Sequence, residues 1–332
     1  MNKKSAIHNR SDAIEPIEIK EIPIPLGAKH PPVPHNVLPQ HEFSIGLVAP
    51  KGAGKTTLMC NIIKNYAGYF HSIIIFSPSV KNDEKWDWVR KQKLLTENTR
   101  LLDWIREMKE QQMRDQNTIV QRPPGVDIIK GLVDMNLLAG GKQRKRDYDG
   151  KFDGRIPEGC FHYEYSEETL KDILTQQQLM VDFLKKHDKT KHWANRILIL
   201  FDDLVGSSLF SNARQNTFKM LNTNHRHLST SLIMVSQAFK EIPKTVRTQF
   251  SALVLFEIYS DGEIEAIYNE FPMGMKKDTW LEAYRYCVAD EYAFMYYNIQ
   301  REKALRVMKK FQQVLSVQED PNIPEPKGRK TK

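Results

Sequence analysis

The stretch Ala49-Pro50-Lys51-Gly52-Ala53-Gly54-Lys55-Thr56-Thr57 sets the terms for the rest of the chain. A nucleoside triphosphate needs several backbone N–H groups turned towards one point, a helix N-terminus behind them and a cation to neutralise the phosphates. Gly52 and Gly54 let the backbone curl around the β-phosphate, Lys55 reaches the β and γ oxygens, and the Thr56 hydroxyl is placed for magnesium. The position that opens this pattern is usually Gly and is Ala49 here; Pro50 biases it to extended backbone, where a Cβ costs nothing. The apolar run FSIGLVA from Phe43 precedes the loop, and a helix-compatible segment from Gly54 to about Tyr66 follows. Strand, loop and helix in that order are the context such a motif requires.

Further apolar runs continue the pattern. SIIIF at 72–76 has the β-branched content of a buried parallel strand. CFHYEY at 160–165, RILILF at 196–201, SLIMVSQ at 231–237, ALVLFEI at 252–258 and YAFMYYNI at 292–299 read as strands. Helices are expected from about Glu167 to Lys186 and from about Asn212 to His227, with ALRVMKKFQQVL at 304–315 as a closing helix. Alternating strands and helices imply an α/β fold with a mostly parallel sheet and helices on both faces.

This organises the chain as one core with tails. Residues 1–40 form an extended Pro-rich arm, ending in KHPPVPHNVLP, which cannot form a helix. It is open to two readings, a tail without function or an arm that docks on a neighbouring subunit. Residues 41–317 form the P-loop domain, within which 81–159 is a polar insertion or lid-like region, and 318–332 is a charged, flexible tail.

RILILFDDLVGSS ends an apolar strand in two carboxylates. Asp202 is suited to hold magnesium with Thr56, and Asp203 to orient or deprotonate an attacking water. Aspartate is one methylene shorter than the glutamate often found there, so the water sits closer or a second water bridges. Ser236 and Gln237 end the next strand, where a side-chain amide can contact both the γ-phosphate and the water. Multimeric ATPases commonly bring an arginine from an adjacent subunit to the transferring phosphate; Arg226 and Arg247 are the candidates, with Arg214 behind them, and for each a surface salt bridge or a phosphate-backbone contact is an equally open reading.

The formal charge of +8 and pI of 9.1 are compatible with a polyanionic partner. Cys60, Cys160 and Cys287 have no nearby ligand at metal-binding spacing and read as buried free thiols. No apolar run of about 18 residues is present and the polar start does not resemble a signal peptide, so a soluble intracellular protein without stable membrane insertion is expected.

Taken together, APKGAGKTT, ILILFDD, NHRHLSTSLIMVSQ and the following EIPKTVRTQ resemble the genome-packaging ATPases of large double-stranded DNA viruses, the poxvirus-type branch of the FtsK/HerA superfamily. The likeness covers roughly 43–76 and 196–258. It implies a RecA-like P-loop NTPase core, ATP and Mg2+ as cofactors, assembly into a homo-oligomeric ring (pentamer or hexamer), and ATP-driven, sequence-independent translocation of double-stranded DNA into a preformed capsid. It also implies a capsid or portal-vertex partner, with the host cytoplasm and the virion as locations. By match of motif, the nucleotide roles fall on Lys55, Thr56, Asp202, Asp203 and Gln237. The basic loop around 142–155 is open to two readings, a pore loop touching DNA phosphates or a solvated surface loop. A HerA-like cellular or mobile-element translocase and an ATP-switched capsid assembly factor are the alternatives.

Overall fold

A computed structural model describes residues 30–98, 152–187, 195–204, 209 and 216–316. The bulk of the insertion, Arg214, the C-terminal tail and most of the N-terminal arm lie outside the described residues, as does most of the basic loop.

Strands β1 (Ser44–Val48), β2 (Ser72–Phe76), β3 (Phe161–His162), β4 (Ile197–Asp202), β5 (Thr230–Ser236), β6 (Ala252–Leu255), β7 (Met295–Asn298), β8 (Val307–Lys309) and β9 (Gln313–Val314) form one nine-stranded sheet in the order β3-β2-β4-β5-β1-β6-β7-β8-β9. From β3 to β6 every pairing is parallel, and β7, β8 and β9 extend that sheet by antiparallel pairing. The sheet is therefore mixed, with a parallel core and an antiparallel extension. The helices are α1 (Lys55–Asn65), α2 (Glu84–Lys91), α3 (Glu167–His187), α4 (Thr217–Asn224), the single turn α5 (Lys244–Arg247), α6 (Asp261–Glu270) and α7 (Lys277–Val288).

The parallel strands are apolar because both their faces are covered. All residues of β1, β4, β5 and β6 are buried. Each fully buried Leu or Ile there contributes roughly 1.5–3 kcal/mol of transfer free energy. Gly46 in β1 is dictated by packing: a Cβ there would lie 2.3 Å from the Phe250 ring.

Three features depart from the sequence expectations or extend them. ALRVMKKFQQVL is not a helix; Val307–Lys309 pairs antiparallel with β7 through Tyr297↔Val307 and Tyr296↔Met308, and β9 folds back on it. Its apolar spacing fits a helix, but β7 presents an open edge that the segment fills, and tertiary pairing overrides local periodicity. Lys310, at φ 55, begins the reversal. Second, α6 and α7 lie between β6 and β7 in a segment with little apolar signal, where Ser260 caps α6 through the Glu263 N–H. Third, the described start of the insertion is core: Trp86 and Val89 of α2 are fully buried.

Residues 30–43 run without helix or strand over their own chain. The Tyr66 hydroxyl donates to the Pro39 carbonyl at 2.7 Å, and the Tyr296 hydroxyl to that of Val37 at 3.0 Å. The three cysteines are free and buried. Among the described residues no helix is long and apolar enough to cross a membrane.

Candidate nucleotide site

Parallel strands deliver their C-terminal ends to one edge of the sheet, where ligands of such sheets bind. The register aligns Val48 with Ser236 and Leu255, Asp202 with Val235, and Phe76 with Phe201. Residues following these strands therefore meet there: the phosphate loop after β1, Ser77 after β2, Asp203 after β4 and Gln237 after β5.

The loop has the predicted backbone. Gly52 and Gly54 adopt φ 84 and 88, in the left-handed region open to glycine, while Ala49 avoids positive φ and is fully buried. The Ala49 N–H donates to the Ser236 carbonyl at 3.1 Å, carrying the β1–β5 ladder one step further. Helix α1 begins at Lys55 without a side-chain cap, leaving its first-turn N–H groups available to an anion. Thr56 is half-buried behind them, while Lys51 and Thr57 are exposed.

Lys55 Nζ lies 3.1 Å from Asp203 Oδ2 as an ion pair, with angles that fall short of a hydrogen bond. Asp203, at φ 51, also accepts from Gln237 Nε2 at 2.8 and 2.9 Å on its two oxygens. Asp203 thus joins two other residues singled out from separate parts of the sequence, Lys55 and Gln237. The left-handed backbone of Asp203 aims its carboxylate at Lys55 and Gln237 while Asp202 stays buried.

Asp202 is 2% exposed. Its Oδ2 accepts from Ser77 Oγ at 2.6 Å, and its Oδ1 is buried without a partner. Burial pushes its carboxyl up to about 6, against the Ser77 bond and the Lys55 charge. Ser77 in turn bonds Ser79, which accepts from Trp86 Nε1 at 2.9 Å, so a hydrogen-bonded chain anchors the carboxylate to α2. An orphaned carboxylate oxygen at a buried strand end fits a divalent cation, which would restore the charge balance that burial costs. Sequence reasoning missed Ser77, although the alignment of SIIIF beside RILILF would have put the residue after Phe76 next to Asp202.

The two arginines differ. Arg247 is engaged inside its own chain: Nη2 lies 2.8 Å from Glu270 Oε1, Nη1 donates to the Phe239 carbonyl at 3.1 Å, and the guanidinium stacks on the Phe239 ring. Arg226 is half-buried in the turn before β5. It therefore sits at the sheet edge opposite the phosphate loop, about 20 Å away along a seven-residue strand. Ser236 turns away from the site, its hydroxyl lying 2.9 Å from both Glu241 Oε2 and the Ala238 carbonyl, either of which can take its one proton.

Residues 149–310 match the family model described as Poxvirus A32 protein. Uncharacterized protein 075L of Invertebrate iridescent virus 6 is 23% identical over 168 residues, covering 50% of this chain. The chain spans 60% of the length of that curated relative. Among solved structures, B204, the DNA-packaging ATPase from Sulfolobus Turreted Icosahedral Virus, aligns over 77% of this chain and 92% of its own at TM-score 0.43 and 11% identity. The cytoplasmic domain of the Thermomonospora curvata Type VII secretion ATPase EccC aligns over 85% of this chain and 26% of its own at TM-score 0.36 and 10% identity. The family match spans β3 to β8 and includes Asp202, Asp203 and Gln237, with the phosphate loop preceding it. Over residues 149–310, then, this chain is similar to the poxvirus A32 proteins.

Proposed function

We propose that the protein is an ATP-driven translocase that packages double-stranded viral DNA into a preformed capsid, working as a homo-oligomeric ring. The observation that carries this reading is the contact of Lys55, Asp203 and Gln237 at the strand ends beside an uncapped helix N-terminus. A cation, a candidate base and an amide meet there, as γ-phosphate hydrolysis requires.

In this reading Lys55 leaves Asp203 for the β and γ oxygens when nucleotide enters, since a polyphosphate is the stronger partner for an ammonium. Asp203, released from Lys55 and still held by Gln237, accepts a proton from the attacking water. The Gln237 amide, exposed beside it, bridges Asp203 and the γ-phosphate and so senses whether ATP is intact. Asp202 and Thr56 would hold magnesium, which neutralises the phosphate charge. Arg226, at the far sheet edge, can serve only the nucleotide of another copy, and a ring supplies that copy. Arg247, stacked and ion-paired at home, positions the β5–β6 connection instead. Duplex DNA is gripped through phosphates, independent of sequence.

The test is steady-state ATP hydrolysis with and without long duplex DNA, across a salt series, beside Lys55→Ala and Asp203→Asn. Stimulation by DNA that salt weakens and both substitutions abolish is the expected result. Hydrolysis indifferent to DNA in both monomeric and assembled preparations would sink the translocase reading and favour an ATP-switched assembly factor.

A further inference from the structure

On the other side of the phosphate loop from Asp203 lies a cleft of about 530 Å3. Its floor is Pro50 to Ala53, one wall is the end of β6 with Phe256 and Tyr259, and the other is the end of α7 and the turn into β7, with Arg285 and Tyr292. Strand β6 flanks β1 on the side away from β5, so the cleft and the catalytic carboxylates lie on opposite flanks of the loop. A nucleotide with its phosphates in the loop leaves its sugar and base to find room outside it, and this volume is in the range of small-molecule sites.

Tyr292 is the conspicuous group in it. Its backbone sits at φ 55, uncommon for an aromatic residue. The ring leans over the loop, where a Cβ on Gly54 would be 3.1 Å from its Cδ1. Beside the loop, the side chain is 59% exposed. Among the described residues nothing in the packing requires a solvent-facing aromatic here. A flat partner arriving beside the phosphates would use it.

The rest of the lining says how such a partner is held. Lys51, Glu257, Arg285, Asp290 and Glu291, the charged side chains of the cleft, are all exposed. Sharp discrimination between bases requires buried polar groups that go unpaired when the wrong base binds, and these side chains remain hydrated either way. Stacking is indifferent to base identity because every base has a π-face.

Building on the phosphate-loop reading, we propose that this cleft seats the purine of the bound nucleotide, held by its face on Tyr292 and not read by its edge, so that ATP and GTP bind alike. Affinities of ATP, GTP and inorganic triphosphate, each with magnesium, are measured by calorimetry on the full chain and on Tyr292→Asn and Tyr292→Phe. Asn tolerates the left-handed backbone, so the ring is removed without straining the turn. The expected pattern is ATP and GTP within about three-fold of each other on the unsubstituted protein, and a loss of about ten-fold for both in Tyr292→Asn. Triphosphate affinity stays unchanged in that variant, and Phe retains nucleotide affinity. A preference of about a hundred-fold between ATP and GTP would overturn face-only binding. Equal losses for ATP and triphosphate in Tyr292→Asn, or no loss for either, would overturn the seat. Failure of the unsubstituted protein to bind triphosphate would refute the phosphate-loop reading itself, and the seat with it.

Discussion

His71, just before β2, gives a stability prediction that is independent of the nucleotide site. Its Nδ1 accepts the Arg196 backbone N–H at 2.8 Å, while its own N–H donates to the Arg196 carbonyl at 2.8 Å. Burial, with the Arg196 and His30 charges nearby, lowers its imidazole from 6.5 to about 3. A group whose folded-state value is depressed and whose charged form is the protonated one withholds a proton that the unfolded chain binds. Stability from His71 is therefore present above the unfolded value of 6.5 and is lost as pH falls below it, levelling off only below about 3. Between about pH 7.5 and pH 5 the two values give a loss of about 2 kcal/mol at 1.36 kcal/mol per unit. The ring keeps some solvent contact, which screens part of this, so about 1–2 kcal/mol is expected. Asn at this position offers an acceptor near Nδ1 and does not titrate. In urea unfolding at the two pH values, the stability of the native protein relative to His71→Asn should fall by about 1–2 kcal/mol on acidification. A difference that stays constant across that range, with both proteins unfolding cooperatively, would refute the reasoning.

Three more predictions concern the site and its supports. Ser77→Ala leaves both oxygens of Asp202 without a protein donor and raises its carboxyl further above about 6, so the acid limb of the hydrolysis profile moves to higher pH, while Ser77→Thr keeps it in place. Arg247→Ala strands Glu270 in a largely buried position and costs about 3 kcal/mol in denaturant unfolding, with Arg247→Lys losing less because the charge is kept. Gly46→Ala forces a Cβ against the Phe250 ring at 2.3 Å and destabilises by about 1–3 kcal/mol, a loss that Phe250→Leu partly reverses. Equal stabilities for the single and double variants would rule that clash out.

What the sequence disclosed and what it hid follow from the range of the forces involved. The phosphate loop, the strand ending in Asp202 and the strand ending before Gln237 are legible because each is a short apolar run closed by residues with one chemical use. The contact of Gln237 with Asp203 was foreseeable only as shared proximity to a phosphate; the direct amide–carboxylate bond depends on the left-handed backbone of Asp203, which no local pattern announces. Arg247 shows a limit of another kind. Its position after Ile-Pro left a trans-acting cation and a salt bridge both open, and only the fold brings Glu270, 23 positions further on, to it. The segment 304–315 carries good helical spacing and is nonetheless strand, because the open edge of β7 is a feature of the folded sheet and not of the segment.

That same sheet stops abruptly at both ends. The outermost strands, β3 and β9, are two residues long, and β9 is exposed. Two residues offer too few backbone donors and acceptors to template a neighbour. Among the described residues, then, no sheet edge can continue from one copy of the chain into another. In the proposed ring, contacts that the described residues make between copies would run through side chains on helices and loops, contacts that can loosen and re-form one at a time, where a shared ladder would lock the copies into a single rigid body.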